Sequence, residues 1–376
     1  MARMRVTLVN RLAGIQTGGG EVYDIALARA LLGRGLQVEL ITGRRLMREP
    51  APPPEGLTVR HVRTPYLRGL AHRMGGPGWR LLDLDLALFE RAAFDLLTES
   101  APPPDIAQIT GMPRLARRVE RQTAMKAVLL FPGPPSVRNR ESIENCATVV
   151  GVGAVTPYLR ENFRLGIHDM TAGVDSTLFR PGGASARARL AIGEEIPVIL
   201  FAGRLVPLKN ISMLVEAFAA IASALPEARL LVAGDGPLRS EMLARASAAR
   251  IRDRLILAGE IPHAEMPEIY RAADILLLTS LNESFSLVAL EAMACGVPVV
   301  VPRVGYLPTL VEDGEGGRIY EPGDVGACAE STVKLLRDPA ERRRSGEAAR
   351  RRALTRHSWD TVAGEFEALY RRILGR

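Results

Sequence analysis

Residues 275–301 read ILLLTSLNESFSLVALEAMACGVPVVV. The run Ile275–Leu278 is wholly apolar, and so is most of Val297–Val301. Between them lies a polar loop and then a stretch, Ser286–Ala294, with the length and composition of a short helix. A strand that is apolar at consecutive positions has no solvent face, so helices must cover both sides of its sheet. Strand, helix and strand in this order form a βαβ unit, and that unit requires parallel strands.

The same alternation extends in both directions. Downstream of Pro197 it predicts strands at Val198–Ala202, Ala228–Ala233 and Leu255–Leu257, and helices at Ile211–Ala224, Leu238–Ala248 and Val325–Arg337. Upstream it predicts strands at Arg5–Asn10, Gln37–Thr42, Leu57–Val62, Ile106–Ile109, Ala127–Phe131, Thr148–Val152 and near Met170. Helices there include Glu21–Arg34 and Leu81–Glu99. The segment Asp175–Pro197 interrupts the pattern. It is polar, rich in Gly and Ala, and contains Pro181-Gly182-Gly183. A restart after such a joint, in 376 residues, predicts two domains, each large enough for its own core. The expected fold class is α/β, with two Rossmann-like doubly wound domains at 1–177 and 178–357 facing a central cleft. A last helix, from Trp359, is free on this pattern to pack on either of them.

Composition narrows the function classes. Hydrophobic residues at 47% and charged residues at 24% describe a globular chain, and no apolar run reaches the length of a bilayer span. The start, Met-Ala-Arg-Met-Arg, leads into a strand with no apolar leader, which predicts a cytoplasmic protein. Cys146, Cys295 and Cys328 are too far apart for a zinc site and odd in number, so reduced thiols are expected. The net charge is +7, of which +6 lies in the residues through Asp175. That bias predicts an anionic partner for the first half: a membrane surface, a lipid-linked acceptor or an acidic polymer. A chain that simply favours Arg throughout is the alternative. Nothing resembles a nucleic-acid-binding module. Residues 56–82 contain Arg60, Arg63, Arg68, Arg73 and Arg80 interleaved with Tyr66, Leu67, Leu70, Met74 and Trp79, and no acid. This segment is the expected acceptor or membrane-facing surface, through peripheral contact at the inner face of the membrane.

In doubly wound sheets ligands bind beyond the carboxyl ends of strands. After the first strand come Gly18-Gly19-Gly20-Glu21 and a helix, an arrangement that admits a phosphate to free backbone N–H groups. Tyr23 stands where the dinucleotide fingerprint needs its third Gly, which weakens a nicotinamide reading. After Val198–Ala202 come Gly203-Arg204 and then Lys209, a pair suited to clamping a pyrophosphate. Gly234-Asp235-Gly236-Pro237 ends the next strand, where Asp235 either meets a ligand or caps a helix. Glu283 lies in the loop after Ile275–Leu278, and the N–H groups of Phe285, Ser286 and Leu287 open the next helix. Glu291, eight residues on, can accept bonds from both hydroxyls of a ribose. Asp83-Leu84-Asp85 is read as surface charge on an amphipathic helix, and no metal site is expected.

These residues resemble the retaining glycosyltransferases of the large family four, which have the GT-B fold. The matches are Gly19-Gly20-Glu21, Gly203-Arg204 with Lys209, Gly234-Asp235-Gly236, Ala273-Asp274, Glu283-x7-Glu291, Ala294 to Pro298, and Gly323-Asp324. Gly173-Val174-Asp175 with Phe179-x-Pro181 resembles the interdomain segment. The resemblance implies a nucleoside-diphosphate sugar as donor substrate, no cofactor, and a glycan or lipid-linked acceptor. It assigns Arg204 and Lys209 to the phosphates, Glu283 to the transferred sugar and Glu291 to the ribose. Gly259, Glu260 and Ile261 would line the base; Gly203, Gly234, Ser284, Phe285, Ser286 and Leu287 would border the donor; Gly19 and Gly20 would meet the phosphate from the other domain. It also implies that the last helix, 358–376, crosses back to the N-terminal domain. Three positions depart from the family. Pro132 stands in place of a His, Ala172 in place of an Asn, and Gly305-Tyr306-Leu307-Pro308-Thr309 in place of Gly-Gly-x-x-Glu. Ser136, Arg138 or Gln108 is a candidate polar contact in place of the His. The absent His motivates a second reading, a nucleotide-sugar-binding scaffold without turnover; a sugar-nucleotide epimerase is a third.

Overall fold

The computed structural model describes residues 3–13, 19–45, 55–64, 67, 79–136 and 139–376, with backbone alone at 19–22, 45 and 79. Residues 65, 66 and 68–78 of the basic segment therefore lie outside the described residues, as does Arg138.

The chain divides into two compact units. The first is Met1–Gly173 with Trp359–Arg376, and the second is Val174–Ser358. The division falls at Val174 rather than at residue 178.

The first unit holds strands β1 (Arg5–Asn10), β2 (Gln37–Arg45), β3 (Thr58–Thr64), β4 (Ile106–Thr110), β5 (Lys126–Phe131), β6 (Val149–Val152) and β7 (Ile167–Met170). They form one sheet in the order β3-β2-β1-β4-β5-β6-β7, parallel throughout. Helices Gly19–Gly33, Trp79–Glu99, Pro113–Gln122, Arg140–Glu144 and Val155–Asn162 alternate with the strands. One face packs Val9, Ile109, Leu129 and Val149 against Phe89, Leu97, Leu115 and Leu159. The terminal helix Trp359–Leu374 belongs to this unit. The Trp359 ring meets Tyr23 edge-on at 5.3 Å, and Tyr370 donates to Gln108 Oε1 at 2.6 Å.

The second unit holds β8 (Val198–Ala202), β9 (Arg229–Ala233), β10 (Leu255–Gly259), β11 (Ile275–Leu277), β12 (Val299–Pro302) and β13 (Gly317–Tyr320). Their order is β10-β9-β8-β11-β12-β13, again all parallel. This is the doubly wound order 3-2-1-4-5-6, with its topological switch between β8 and β11. Helix Ile211–Ala224 covers one face through Leu214, Phe218 and Ile221. Helix Pro339–His357 packs against Leu287–Ala294 through small residues, Ser345, Gly346, Ala349 and Ala353. A Cβ at Gly346 would lie 2.1 Å from the Gly296 carbonyl oxygen, so only Gly permits this approach.

Several expectations change. Asp83 is exposed, but Asp85 is fully buried and forms an ion pair with Arg11, so the pair is not merely surface charge. Its position on the inner side of helix Trp79–Glu99 demands a partner, because an unpaired buried carboxylate is very costly. Gln108 is fully buried and its carbonyl accepts from Tyr370, which leaves only its side-chain N–H donors without a partner among the described residues. Arg60 donates to the Leu96 carbonyl and to Ser100, and lies 3.7 Å from Glu39; within the basic segment it is a packed residue. All three thiols are buried, and burial pushes each up to about 12. No helix among the described residues is long and apolar enough to cross a membrane.

Candidate active site

The loops at the carboxyl ends of β8, β9 and β10 are tied to one another by their backbones. Gly203 N–H donates to Ala233 O at 2.9 Å, Leu205 N–H to Asp235 O at 2.9 Å, and Gly234 N–H to Gly259 O at 2.7 Å. The approach is close: a Cβ on Gly234, which has φ +139°, would sit 2.0 Å from the Gly203 carbonyl oxygen. Glycine is thus a packing requirement, and it leaves the strand ends as a shelf of bare backbone. Asp235 does not cap the following helix, Arg239–Ala248. Its carboxylate accepts from Gly236 N–H at 2.7 Å and from Arg239 at 2.9 Å, and both hold it below the usual carboxylate range.

Arg204 emerges from this shelf, exposed and with no ion pair or side-chain hydrogen bond among the described residues. Lys209 closes the short 3-10 turn Pro207–Lys209. Its ammonium lies 2.5 Å from Glu283 Oε1, joining the loop after β8 to the loop after β11 across the switch point. Ser280 donates to the same Oε1 at 2.8 Å, while Oε2 of Glu283 takes no hydrogen bond among the described residues. Thr279 fixes the other side of the junction by donating to the Lys209 carbonyl at 2.9 Å. Glu283 is buried, so this pair stands largely out of water, where its attraction is strong.

The unusual loop at Gly305 explains how Glu283 is held. Tyr306 N–H donates to the Glu283 carbonyl at 3.0 Å, and the Tyr306 ring stacks on Phe285 with centroids 4.9 Å apart. A Cβ on Gly305 would fall 1.8 Å from that same carbonyl oxygen. From Glu283 the chain passes through Ser284 and Phe285 to Ser286, which has φ +77°, and enters helix Leu287–Ala294. No side chain among the described residues caps this helix, so its first-turn N–H groups are open to an anion.

Glu291 points inward on this helix and is buried. Its Oε1 lies 2.8 Å from His263 Nε2, and its Oε2 accepts from the Tyr270 hydroxyl at 2.7 Å. The bond to Glu291 raises the His263 pKa, and burial raises that of Tyr270. His263 follows Gly259, Glu260 and Ile261 after β10; Glu260 is exposed and Ile261 half-buried. Gly19 and Gly20 begin helix Gly19–Gly33 of the first unit. Thus Gly203, Arg204, Lys209, Gly234, Glu283 and Glu291 gather at the carboxyl edge of one sheet. Sequence reading missed Ser280, Thr279, His263 and Tyr270. His263 was findable, as the one ionisable imidazole two residues beyond a loop already singled out.

A family profile described as glycosyl transferases group 1 matches residues 184–352. The D-inositol 3-phosphate glycosyltransferase of Thermobispora bispora is 32% identical, over 96% of this chain and 91% of its own. Its counterpart in Thermomonospora curvata is 32% identical over 94% and 90%. Among solved structures, sucrose-phosphate synthase from Thermosynechococcus elongatus superposes with a TM-score of 0.82 at 24% identity, covering 99% of this chain and all of that one (100%). Anabaena HepE, in complex with UDP and glucose, gives 0.75 at 18% identity over 98% and 99%. At these identities the structures speak for the fold, which is GT-B in class, while the sequence relatives speak for descent. By the matching profile and by relatives similar over nearly its whole length, the chain belongs to the group 1 glycosyltransferases.

Proposed function

We propose that this glycosyltransferase takes its sugar from a nucleoside diphosphate, retains the anomeric configuration and needs no metal. The observation that carries the reading is the Lys209–Glu283 pair at the β8/β11 switch, flanked by Arg204 and an uncapped helix N-terminus. In glycosyl transfer from such a donor, negative charge grows on the departing phosphate. Arg204, the remaining donors of Lys209 and the amides of Ser286 and Leu287 are the groups that neutralise it. A phosphate oxygen of the leaving group takes the acceptor proton on the same face, so no imidazole is required where Pro132 stands. Glu283 Oε2 faces the transferred sugar, Glu291 binds the ribose, and the backbone from Gly259 through Glu260 to Ile261 lines the base.

The UDP present in the Anabaena structure supports a nucleotide donor. A phosphate-bearing acceptor fits the basic balance of the first half and the relatives named for D-inositol 3-phosphate. Among the glycan and lipid-linked acceptors of cell-surface polysaccharide or glycolipid synthesis, met in the cytoplasm or at the inner membrane face, those that carry a phosphate have this chemistry. The test is incubation of purified protein with a panel of radiolabelled nucleotide sugars and anionic acceptors, in excess EDTA. Transfer with the donor's anomeric configuration, read by NMR, is the expected result. An inverted product, or activity restored only by a divalent cation, would overturn the corresponding part of the reading. Tight donor binding with neither transfer nor slow hydrolysis would favour a scaffold.

A further inference from the structure

We propose that His263 and Tyr270 are positioning residues that make the Glu291 carboxylate selective for a ribose over a deoxyribose. The inference rests on the assignment of Glu291 to the donor's sugar ring. Glu291 is not free to turn: His263 Nε2 lies 2.8 Å from Oε1 and the Tyr270 hydroxyl 2.7 Å from Oε2. The two supports come from separate elements. His263 starts the 3-10 turn His263–Glu265, and Tyr270 lies in helix Met266–Ala272. Phe179 packs against both rings, 5.2 Å from His263 and 5.9 Å from Tyr270, and is itself fully buried, as is Tyr270. The carboxylate is therefore held at both oxygens, on one side by the fully buried Tyr270 and on the other by a half-exposed His263 ring that rests against Phe179.

A carboxylate offers about four lone-pair directions, and these two bonds use one on each oxygen. One acceptor direction per oxygen remains, in a fixed plane. That arrangement matches two vicinal hydroxyl donors. A carboxylate that could rotate would follow a single hydroxyl and accept a 2′-deoxy analogue with little loss. A carboxylate locked at both ends keeps an unfilled acceptor when one hydroxyl is missing, and an unfilled polar group in a closed site is what produces discrimination. Tyr270 and His263 touch no sugar in this scheme. They act only through Glu291.

The experiment compares the binding of UDP and GDP with that of their 2′-deoxy counterparts by calorimetry, using the base that binds more tightly. It is run on wild type, Tyr270→Phe, His263→Leu, His263→Gln and Glu291→Gln. Wild type should prefer the ribonucleotide by about tenfold or more. Tyr270→Phe and His263→Leu should each bring the preference to within about threefold, by weakening the ribonucleotide while leaving the deoxy form almost unchanged. His263→Gln retains a donor and should restore most of the preference. In turnover assays the same variants should raise the donor KM more than they lower kcat. A merely structural loss would weaken both nucleotides equally and leave the ratio intact. If Glu291→Gln loses the preference while Tyr270→Phe and His263→Leu keep it, the positioning role is wrong and the assignment of Glu291 stands. If Glu291→Gln keeps the full preference, the assignment itself is wrong.

Discussion

Arg204 and Lys209 share one assigned task but stand in different surroundings, which separates their variants. Arg204 is exposed and unpaired among the described residues, so Arg204→Ala strands nothing and should change stability by no more than about 0.5 kcal/mol. Lys209 is different. Its ammonium lies 2.5 Å from Glu283, with side-chain exposures of 18% and 10%. Lys209→Ala leaves a nearly buried carboxylate with, among the described residues, only the Ser280 hydroxyl as partner. Breaking a fully buried pair costs about 3–5 kcal/mol, and residual exposure here reduces that to about 2–3 kcal/mol. At about 2–4 °C per kcal/mol for domains of this size, Tm should fall by roughly 4–12 °C. Turnover follows another rule. On the proposed donor chemistry both cations face charge that is greatest in the transition state, so each alanine variant should lose about a hundredfold in kcat, about 2.7 kcal/mol, with a smaller rise in donor KM. The double change Lys209→Ala with Glu283→Gln removes the stranded charge; it should recover most of the Tm and none of the turnover. Calorimetric melting and steady-state kinetics on the same preparations give both quantities. Wild-type kcat in either single variant, or equal destabilisation of both, would refute the reasoning.

Gly305→Ala should lower kcat at least about tenfold and destabilise by about 1–3 kcal/mol, because φ is +53° and the new Cβ would strike the Glu283 carbonyl; unchanged kinetics would show that this loop does not hold Glu283. The His263 pKa is raised by its bond to Glu291, so the stability it contributes is fully present below the ordinary imidazole value of about 6.5 and is lost as pH rises through the raised value. Melting wild type and His263→Gln across this range should show the wild-type advantage shrinking as pH rises; an advantage that grows would contradict the pairing. Pro132→Ala should change kcat by less than about threefold, since no acid–base role is assigned to that position, whereas loss of a true proton-transfer group costs roughly 10²–10⁴-fold in kcat.

The elements legible in the sequence are those with a pattern set by burial. Val198–Ala202 has no solvent face, and helix Ile211–Ala224 presents Leu214, Phe218 and Ile221 to the core, so both are visible as apolar runs or periodicity. Helix Pro339–His357 is not visible in that way. It is dense in Arg and Glu, and it packs through Ser345, Gly346, Ala349 and Ala353, whose small side chains carry almost no hydrophobic signal. The short strand Gly317–Tyr320 is equally hidden, because its Gly317 is required by a close approach to Val299. At the site, Arg204, Lys209, Glu283 and Glu291 are legible from their places after strands. Their partnerships are not. Lys209 and Glu283 are 74 residues apart, and only the adjacency of β8 and β11 brings them together. Tyr270 gives no sign in the sequence that its hydroxyl is spent on Glu291. Asp85 misleads for the same reason, since Arg11, its partner, is far off in the chain.

On the proposed reading, the carboxylate held beside Lys209 at the β8/β11 switch acts on the transferred sugar. Turnover and nucleoside-diphosphate affinity measured together in Glu283→Gln, a change that keeps the side chain's shape and the bond from Ser280, decide this role. Sugar transfer should fall by about a hundredfold or more while the affinity for the nucleoside diphosphate, which carries no transferred sugar, stays within about threefold of wild type. Transfer at the wild-type rate would contradict it.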